Sequence, residues 1–237
     1  MILGVTGQSV LGSQTFRSSK LFLLRSLASH RGLLLLLICL ALGLVSGCKS
    51  TKQGTARGEE LYDVCESCHG VDGAGMPTVG APAIAGLSNW YVAAQLKKFK
   101  DGSRGAHPED LRGMQMRPMA RSLSTDEEIE AVSAYVASLP VKRGPSMIQG
   151  NATNGQTLYG TCAACHGADG AGNQSLSAPP LKGADDWYLL AQLKKFKVGH
   201  RGTNPKDTTG AQMRPMALGL ADDQAMRDVI AYINTLK

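Results

Sequence analysis

Two short segments of the chain contain residue types that bind metals and cofactors. Both have the form Cys-x-x-Cys-His, in "CESCHG" and "CAACHG". A Cys-x-x-Cys pair can bind zinc, exchange disulfides or anchor a haem, and a histidine directly after the second cysteine favours haem without deciding the question. The residues are Cys65, Cys68 and His69 in the first segment and Cys162, Cys165 and His166 in the second.

The two motifs belong to a tandem repeat. Their first cysteines are separated by 162 − 65 = 97 positions, and the same offset relates the two copies of "AQLKKFK" and of "QMRPMA". Roughly half of the positions match between 58–139 and 155–236 without a gap, which indicates a duplication. The sequence therefore predicts two domains, 58–140 and 155–237, joined by a polar linker at 141–154.

Covalently bound haem explains the motifs better than zinc or dithiol chemistry does. Zinc prefers four ligands in one tetrahedral site, which two cysteine pairs in separate domains supply poorly. A dithiol oxidoreductase needs a βαβ setting, and no strand pattern is present. Each domain has only about 80 residues, so a side-chain core alone would be marginal and a buried porphyrin would complete it. We predict two haem c groups, each held by two cysteines and ligated by the following histidine, His69 or His166.

An electron-carrying haem iron needs a second strong ligand, usually Met or His. His107 and His200 have no histidine partner in the other repeat, so we interpret both as surface residues. Two methionine pairs do repeat, and the spacing leaves both open as ligands. They are Met116 with Met213, and Met119 with Met216.

The hydrophobic pattern predicts an all-α fold. A helix near 89–100 buries one face and leaves Lys97, Lys98 and Lys100 on a solvated face. A last helix follows "STDEE", where Ser124 and Glu127 could form a capping box. Its apolar stripe is formed by Ile129, Val132, Val136 and Leu139, and in the second repeat by Met226, Val229, Ile233 and Leu236.

The amino terminus has the layout of an export signal. A basic, Ser-rich stretch precedes the apolar run "GLLLLLICLALGLVSG", and "VSGC" resembles a bacterial lipobox. We predict a signal peptide at 1–47, lipidation of Cys48 and a tether at 48–57. The alternative is a retained membrane-spanning helix. Cys39 would leave with the signal, so no cysteine remains for a structural disulfide.

The charge of the chain argues against a nucleic-acid partner. Without the first 47 residues the balance is 21 basic against 19 acidic residues, or +2. The domain at 58–140 has 7 basic and 12 acidic residues, and the domain at 155–237 has 9 and 7. Because these balances differ in sign, we expect the second domain to dock on an acidic partner surface. The lysines implicated are Lys194, Lys195 and Lys197.

Three features of the sequence resemble dihaem class I cytochromes c of the c-four type. They are the tandem Cys-x-x-Cys-His units, the Pro-containing loops "GAPAIAG" and "SAPPLKG", and the two "MRPM" segments, which we call the Met-Arg segments. The resemblance covers about 55–237 and implies two cytochrome c domains, each wrapped around one covalent haem. It implies that the first methionine of each segment ligates iron, which selects Met116 and Met213. It also implies that the carbonyls of Pro82 and Pro179 accept from the axial histidines.

The resemblance implies a carrier of single electrons rather than an enzyme. The sequence pattern "WYxxAQLKKFKxGxRG" is similar to the corresponding segment of cytochrome c domains found with haem-copper terminal oxidases. We therefore expect an exported carrier on the periplasmic face of a bacterial membrane, with a membrane electron donor and a terminal oxidase or reductase as acceptor. The alternatives are a fixed cytochrome subunit of an oxidase or dehydrogenase complex, and a dihaem peroxidase-like enzyme in which one haem has lost its Met.

Overall fold

The computed structural model describes residues 53–142 and 144–236. The predicted signal peptide at 1–47, the lipidation site Cys48 and the first half of the tether lie outside the described residues. In the part of the chain that the structure describes, no helix has the length and apolar character needed to cross a membrane.

The described residues fold into α-helices, with two isolated β-bridges and no strand among them. The prediction of an all-α fold is confirmed. The helices are α1 Gly54–His69, α2 Asn89–Asp101, α3 Leu111–Ser122, α4 Asp126–Ser138, α5 Ala152–His166, α6 Asp186–Val198, α7 Thr208–Leu218 and α8 Asp223–Ile233, with 3-10 turns at Pro77–Val79 and Gln174–Leu176.

The helices form two lobes with the same element order. We call residues 54–140 the first lobe and 152–236 the second lobe. In the first lobe α4 packs on α1 and α2, and in the second lobe α8 packs on α5 and α6. The predicted apolar stripes supply both cores, because Ile129 is fully buried in one lobe and Val229 is 1% exposed in the other. Each core also contains a buried tyrosine, Tyr62 or Tyr159.

One local prediction differs from the structure. The N-cap of helix α4 is Thr125 rather than Ser124, and the Thr125 hydroxyl accepts from the N–H of Glu128. The Glu128 carboxylate accepts in turn from the N–H of Ser124, so the box pairs Thr125 with Glu128, not Ser124 with Glu127. The Met-Arg segments lie within α3 and α7, although each contains a proline.

The carboxylate of Asp186 fastens residues 146–148 of the linker to the second lobe. Asp186 is 4% exposed and accepts from the backbone N–H groups of Met147 and Ile148, at 2.7 and 2.8 Å. It also accepts from the Ser146 hydroxyl at 2.9 Å. Burial raises the pKa of Asp186, but these hydrogen bonds outweigh it and leave the pKa below its ordinary value.

Lys98, which was predicted to face solvent, and Lys195, which was predicted to dock on a partner, both form ion pairs between the lobes. Lys98 Nζ lies 2.5 Å from Asp207 Oδ1, and Lys195 Nζ lies 2.6 Å from Asp110 Oδ1. Both carboxylates are buried, with exposed fractions of 0% for Asp207 and 2% for Asp110. The prediction of a solvated lysine face is therefore wrong for Lys98, and the docking prediction is affected at Lys195, because in each case the other lobe covers that part of the helix. Lys97 is half-exposed as predicted and pairs with acidic residues on α4.

Lys100 and Lys197 cap neighbouring backbone. Lys100 Nζ donates to the carbonyls of Leu123 and Ser124, and Lys197 Nζ donates to those of Leu220 and Ala221. These contacts tie α2 and α6 to the turns that follow α3 and α7.

Candidate functional site

Each Cys-x-x-Cys-His motif forms the carboxyl end of the first helix of its lobe. Cys65 and Cys68 lie on the last turns of α1, Cys162 and Cys165 lie at the same positions of α5, and none of these four cysteines forms a disulfide. Burial raises the pKa of Cys65 to about 11 and raises that of Cys162 in the same direction. Catalytic and disulfide-exchanging cysteines have lowered pKa values, whereas burial shifts the pKa values of Cys65 and Cys162 in the opposite direction.

Both motif histidines are buried and fixed by a proline carbonyl. His69 Nδ1 lies 2.8 Å from the Pro82 carbonyl oxygen, and His166 Nδ1 lies 2.8 Å from that of Pro179. A carbonyl can only accept, so Nδ1 carries the proton and Nε2 keeps a lone pair for a ligand. Burial lowers the pKa of His69, and the Pro82 carbonyl only partly opposes this, so the imidazole is neutral.

The loop that contains Pro82, or Pro179 in the second lobe, can approach the motif histidine because a glycine lies at the point where that loop contacts the backbone after the histidine. Gly75 has φ +81°, and a Cβ there would lie 2.4 Å from the Ala83 nitrogen. Its counterpart Gly172 has the same φ, with a Cβ position 2.6 Å from the Pro180 nitrogen. Only glycine combines this backbone conformation with so close an approach.

Each lobe contributes a pair of methionines to the wall of a cavity that the motif histidines also line. Met116 and Met119 on α3, and Met213 and Met216 on α7, line a continuous cavity together with both motif histidines. Met116 and Met213 are half-buried, whereas Met119 is 39% and Met216 42% exposed. The more buried methionine of each pair is thus the first one.

The cavity extends from one lobe into the other across a polar seam. Arg104 donates to Gln95 at 2.7 Å, to Tyr188 at 2.8 Å and to Gln192 at 3.0 Å. Arg201 donates to Gln192 at 2.8 Å and to Gln95 at 3.1 Å. The two arginines are related by the offset of 97, so the seam has the symmetry of the repeat.

The donor set and the lining of the cavity fit a haem in each lobe. A thiol pair, a neutral imidazole with a free Nε2 and a thioether are the groups that hold haem c, and aliphatic side chains such as Ile84 and Leu181 supply apolar walls. Arg201 Nε is buried without a hydrogen-bond partner, although Arg201 lines the cavity. An anionic group in the cavity would satisfy this guanidinium, and haem has carboxylates to offer.

Several residues of the site were not singled out from the sequence. The hydroxyl of Tyr62 donates to the Gly70 carbonyl at 2.8 Å, and the hydroxyl of Tyr159 donates to the Gly167 carbonyl at 2.7 Å. Each bond fixes the backbone directly after a motif histidine. Tyr62 and Arg104 could have been selected from the sequence, because the same residue types recur 97 positions later in the second repeat.

The two remaining described histidines lie away from the motif histidines but are not plain surface residues. His107 of the first lobe and His200 of the second stack with ring centroids 4.1 Å apart and an interplanar angle of 19°. Both are half-buried. The prediction of two surface residues is therefore wrong, because repeat matching compares equivalent positions and does not show which non-equivalent loops meet.

Comparison with known proteins shows the family to which both lobes belong. Residues 55–140 and 152–237 each match the protein family described as "Cytochrome c". The chain is 34% identical over 197 residues to "Thiosulfate dehydrogenase electron acceptor" of Stutzerimonas stutzeri (strain A1501), an alignment that covers 78% of this chain and 86% of that protein. It is 36% identical over 216 residues to "Cytochrome c4" of Azotobacter vinelandii, covering 85% of this chain and 98% of that protein.

A solved structure shares the fold. The crystal structure of reduced recombinant cytochrome c4 from Pseudomonas stutzeri superposes with a TM-score of 0.62 at 29% sequence identity. The superposition covers 78% of this chain and 100% of that chain. The tandem arrangement of the two lobes is therefore common to both molecules.

Proposed function

The chain belongs to the cytochrome c family as a dihaem electron carrier with two covalently bound haem c groups, and from this we propose that it passes single electrons between membrane respiratory complexes. The observation that supports this most is the equivalence of the two lobes. Each presents a cysteine pair, a carbonyl-fixed histidine and a half-buried methionine to one cavity that is continuous between the lobes. Neither lobe shows the differentiation expected of a catalytic haem.

The residues of the motifs divide the work of holding haem. We assign covalent attachment to Cys65, Cys68, Cys162 and Cys165, and iron ligation to His69 and His166. When bound, each haem iron takes up and returns one electron. The Pro82 and Pro179 carbonyls keep the imidazole rings oriented and make Nε2 a better donor, because a hydrogen bond at Nδ1 increases the basicity of the ring.

We assign the second iron ligand to Met116 in the first lobe and to Met213 in the second. Their lower exposure compared with Met119 and Met216 supports this choice. Met116→Ala should open the first site, remove part of the far-red absorption of the oxidised protein and allow carbon monoxide to bind. The matched variant Met119→Ala should keep the wild-type spectrum. If Met119→Ala binds carbon monoxide and Met116→Ala does not, the assignment is reversed.

We propose export to the periplasmic face and anchoring through lipid on Cys48, with an electron donor in the membrane and a haem-copper oxidase as acceptor. The similarity to a protein named as an electron acceptor of thiosulfate dehydrogenase supports a dehydrogenase as a second type of donor. The docking hypothesis needs revision, because Lys195 pairs with Asp110 and Lys197 caps backbone carbonyls. Charge reversal at Lys195 would disturb the lobe interface, so of the three lysines the one suited to a docking test is Lys194, which is half-exposed and pairs with Asp223 on the surface of the same lobe.

The route to an oxidase is tested by reoxidation kinetics. The holoprotein is reduced, freed of reductant and mixed with membrane vesicles of the source organism, and the loss of the reduced haem bands is recorded with and without cyanide. Cyanide-sensitive reoxidation faster than reaction with air alone supports an oxidase as acceptor. Reoxidation that cyanide leaves unchanged contradicts that route, while the spectra still report whether the protein is a dihaem carrier.

A further inference from the structure

A cluster of two imidazoles and a carboxylate lies where loops of the two lobes meet. His107 and Glu109 belong to the loop between α2 and α3, and His200 directly follows α6. His200 Nε2 lies 2.8 Å from Glu109 Oε2, and the two histidine rings stack. One ligand atom from each of the three side chains can be chosen so that all lie within 4.8 Å of one another.

The cluster is independent of the haem repeat. At the offset of 97, His107 corresponds to Asn204 and His200 to Ser103, so neither lobe repeats the other's histidine. None of the three side chains lines the haem cavity. The haem sites therefore do not explain why these histidines meet.

The neighbours of the cluster hold its loops in place. Asp110, next to Glu109, forms its ion pair with Lys195 of the second lobe at 2.6 Å. Arg201, next to His200, donates to Gln95 of the first lobe at 3.1 Å. The backbone on both sides is thus fixed by bonds across the seam, and preorganised ligands bind a metal without ordering a loop.

Side-chain movements bring the ligand atoms to coordination distance, and they include a rotation of the stacked imidazole rings, whose planes lie at 19°, so that both lone pairs point at one ion. Ligand atoms about 2.0–2.1 Å from a tetrahedral zinc ion stand roughly 3.4 Å apart, so separations within 4.8 Å have to shrink by at most about 1.4 Å. The Glu109 side chain is 72% exposed and free to move, whereas His200 is 19% exposed. Coordination by His107 has to replace one long contact, the 3.2 Å bond in which its Nδ1 accepts from the N–H of Glu109.

We propose that His107, Glu109 and His200 form a binding site for a divalent transition-metal ion that bridges the two lobes. Two imidazoles and one carboxylate suit Zn²⁺, Cu²⁺ and Ni²⁺ and suit Ca²⁺ or Mg²⁺ poorly. Three protein ligands leave a further coordination position to solvent, which the exposure of Glu109 permits. A bound ion links the first lobe to the second and stabilises their arrangement, because it binds the folded protein alone.

Zinc is the probe for this site, because Zn²⁺ has no redox chemistry with which to disturb the haem spectra. Untagged holoprotein with both haems is titrated with zinc chloride by isothermal titration calorimetry, and thermal unfolding is followed with and without the metal. The variants His107→Asn and His200→Ser carry the residues that the other lobe has at the equivalent positions. Glu59→Gln, an exposed carboxylate on α1, is the control for a changed surface charge.

We expect one saturable zinc site per chain and a zinc-dependent rise in the unfolding temperature. Loss of residues that only support a ligand weakens metal binding by about 10–100-fold, so loss of a direct ligand in either histidine variant should weaken it by more than about tenfold. Glu59→Gln should bind like the wild type, and unchanged haem spectra show that the variants fold. Absence of saturable binding overturns the proposal, and so does binding that His107→Asn and His200→Ser leave intact.

Discussion

The ion pair between Lys98 and Asp207 should contribute measurably to the stability of the whole molecule. Asp207 is fully buried and Lys98 is 16% exposed, and Asp207 also accepts from the N–H of Gly210 at 3.0 Å as the N-cap of α7. Asp207→Asn keeps the volume and the capping acceptor, since asparagine caps helices as well as aspartate does. It removes the charge that compensates the buried ammonium group of Lys98.

The expected cost follows from the burial of this pair. Removing one partner of a fully buried ion pair costs about 3–5 kcal/mol. Lys98 keeps some exposure and a 2.5 Å contact to the Thr209 hydroxyl, so we expect the lower value of about 2–3 kcal/mol. With a urea m-value of about 3 kcal/mol/M for a chain of this size, the unfolding midpoint should fall by roughly 0.7–1 M.

The control is an exposed pair of the same chemistry. Lys97 and Glu130 lie 3.2 Å apart with side chains 44% and 51% exposed, so Glu130→Gln should cost less than about 1 kcal/mol. Urea unfolding of the holoproteins, followed by far-UV circular dichroism, gives both values. A midpoint for Asp207→Asn no lower than that for Glu130→Gln would refute the view that this ion pair stabilises the contact between the lobes.

Three further changes test the local structure, each by the free energy of unfolding in urea. Tyr62→Phe removes the 2.8 Å bond to the Gly70 carbonyl, which keeps its 3.0 Å bond from the Gly73 N–H, and should cost about 1 kcal/mol; no change would show that water replaces the hydroxyl. Gly75→Ala, at φ +81° and 2.4 Å from a backbone nitrogen, should cost more than about 2 kcal/mol, whereas Gly160→Ala in an open helix position should stabilise by about 0.5–1 kcal/mol. Burial raises the pKa of Asp110, but Lys195 and the N–H of Gly113 outweigh it and hold the pKa below its ordinary value. Its contribution is therefore present above the unfolded pKa of about 3.9 and lost as the pH falls through the lower folded value. Wild-type stability should then decline more steeply below about pH 4 than that of Asp110→Asn, and equal slopes would contradict this.

Periodicity and repetition were sufficient to predict the core and the helices α2, α4, α6 and α8, but not α3 and α7. Ile129, Val132 and Val136 repeat at helical spacing, and burying them against α1 and α2 is the simplest way to remove that stripe from water. The prediction that a proline carbonyl accepts from each motif histidine rested on the family resemblance, and the structure places those atoms 2.8 Å apart.

Contacts between the lobes could not be predicted in the same way. The sequence of α2 shows that Lys98 lies on the polar face of the helix, but a polar face is equally compatible with water and with a carboxylate of another lobe. Asp207 is 109 residues away, and nothing local in the sequence marks it as the partner of Lys98. The stacking of His107 on His200 is hidden for the same reason, since it depends on how the two lobes dock.

The most direct test of the account is the visible spectrum of the purified holoprotein, oxidised and reduced, with a pyridine haemochrome count. We predict two covalent haems per chain, the weak far-red band of methionine-ligated ferric iron in the oxidised form, and no reaction of the reduced form with carbon monoxide. One haem per chain, or a high-spin component that binds carbon monoxide, would contradict a carrier with two six-coordinate haems and favour an open, catalytic site.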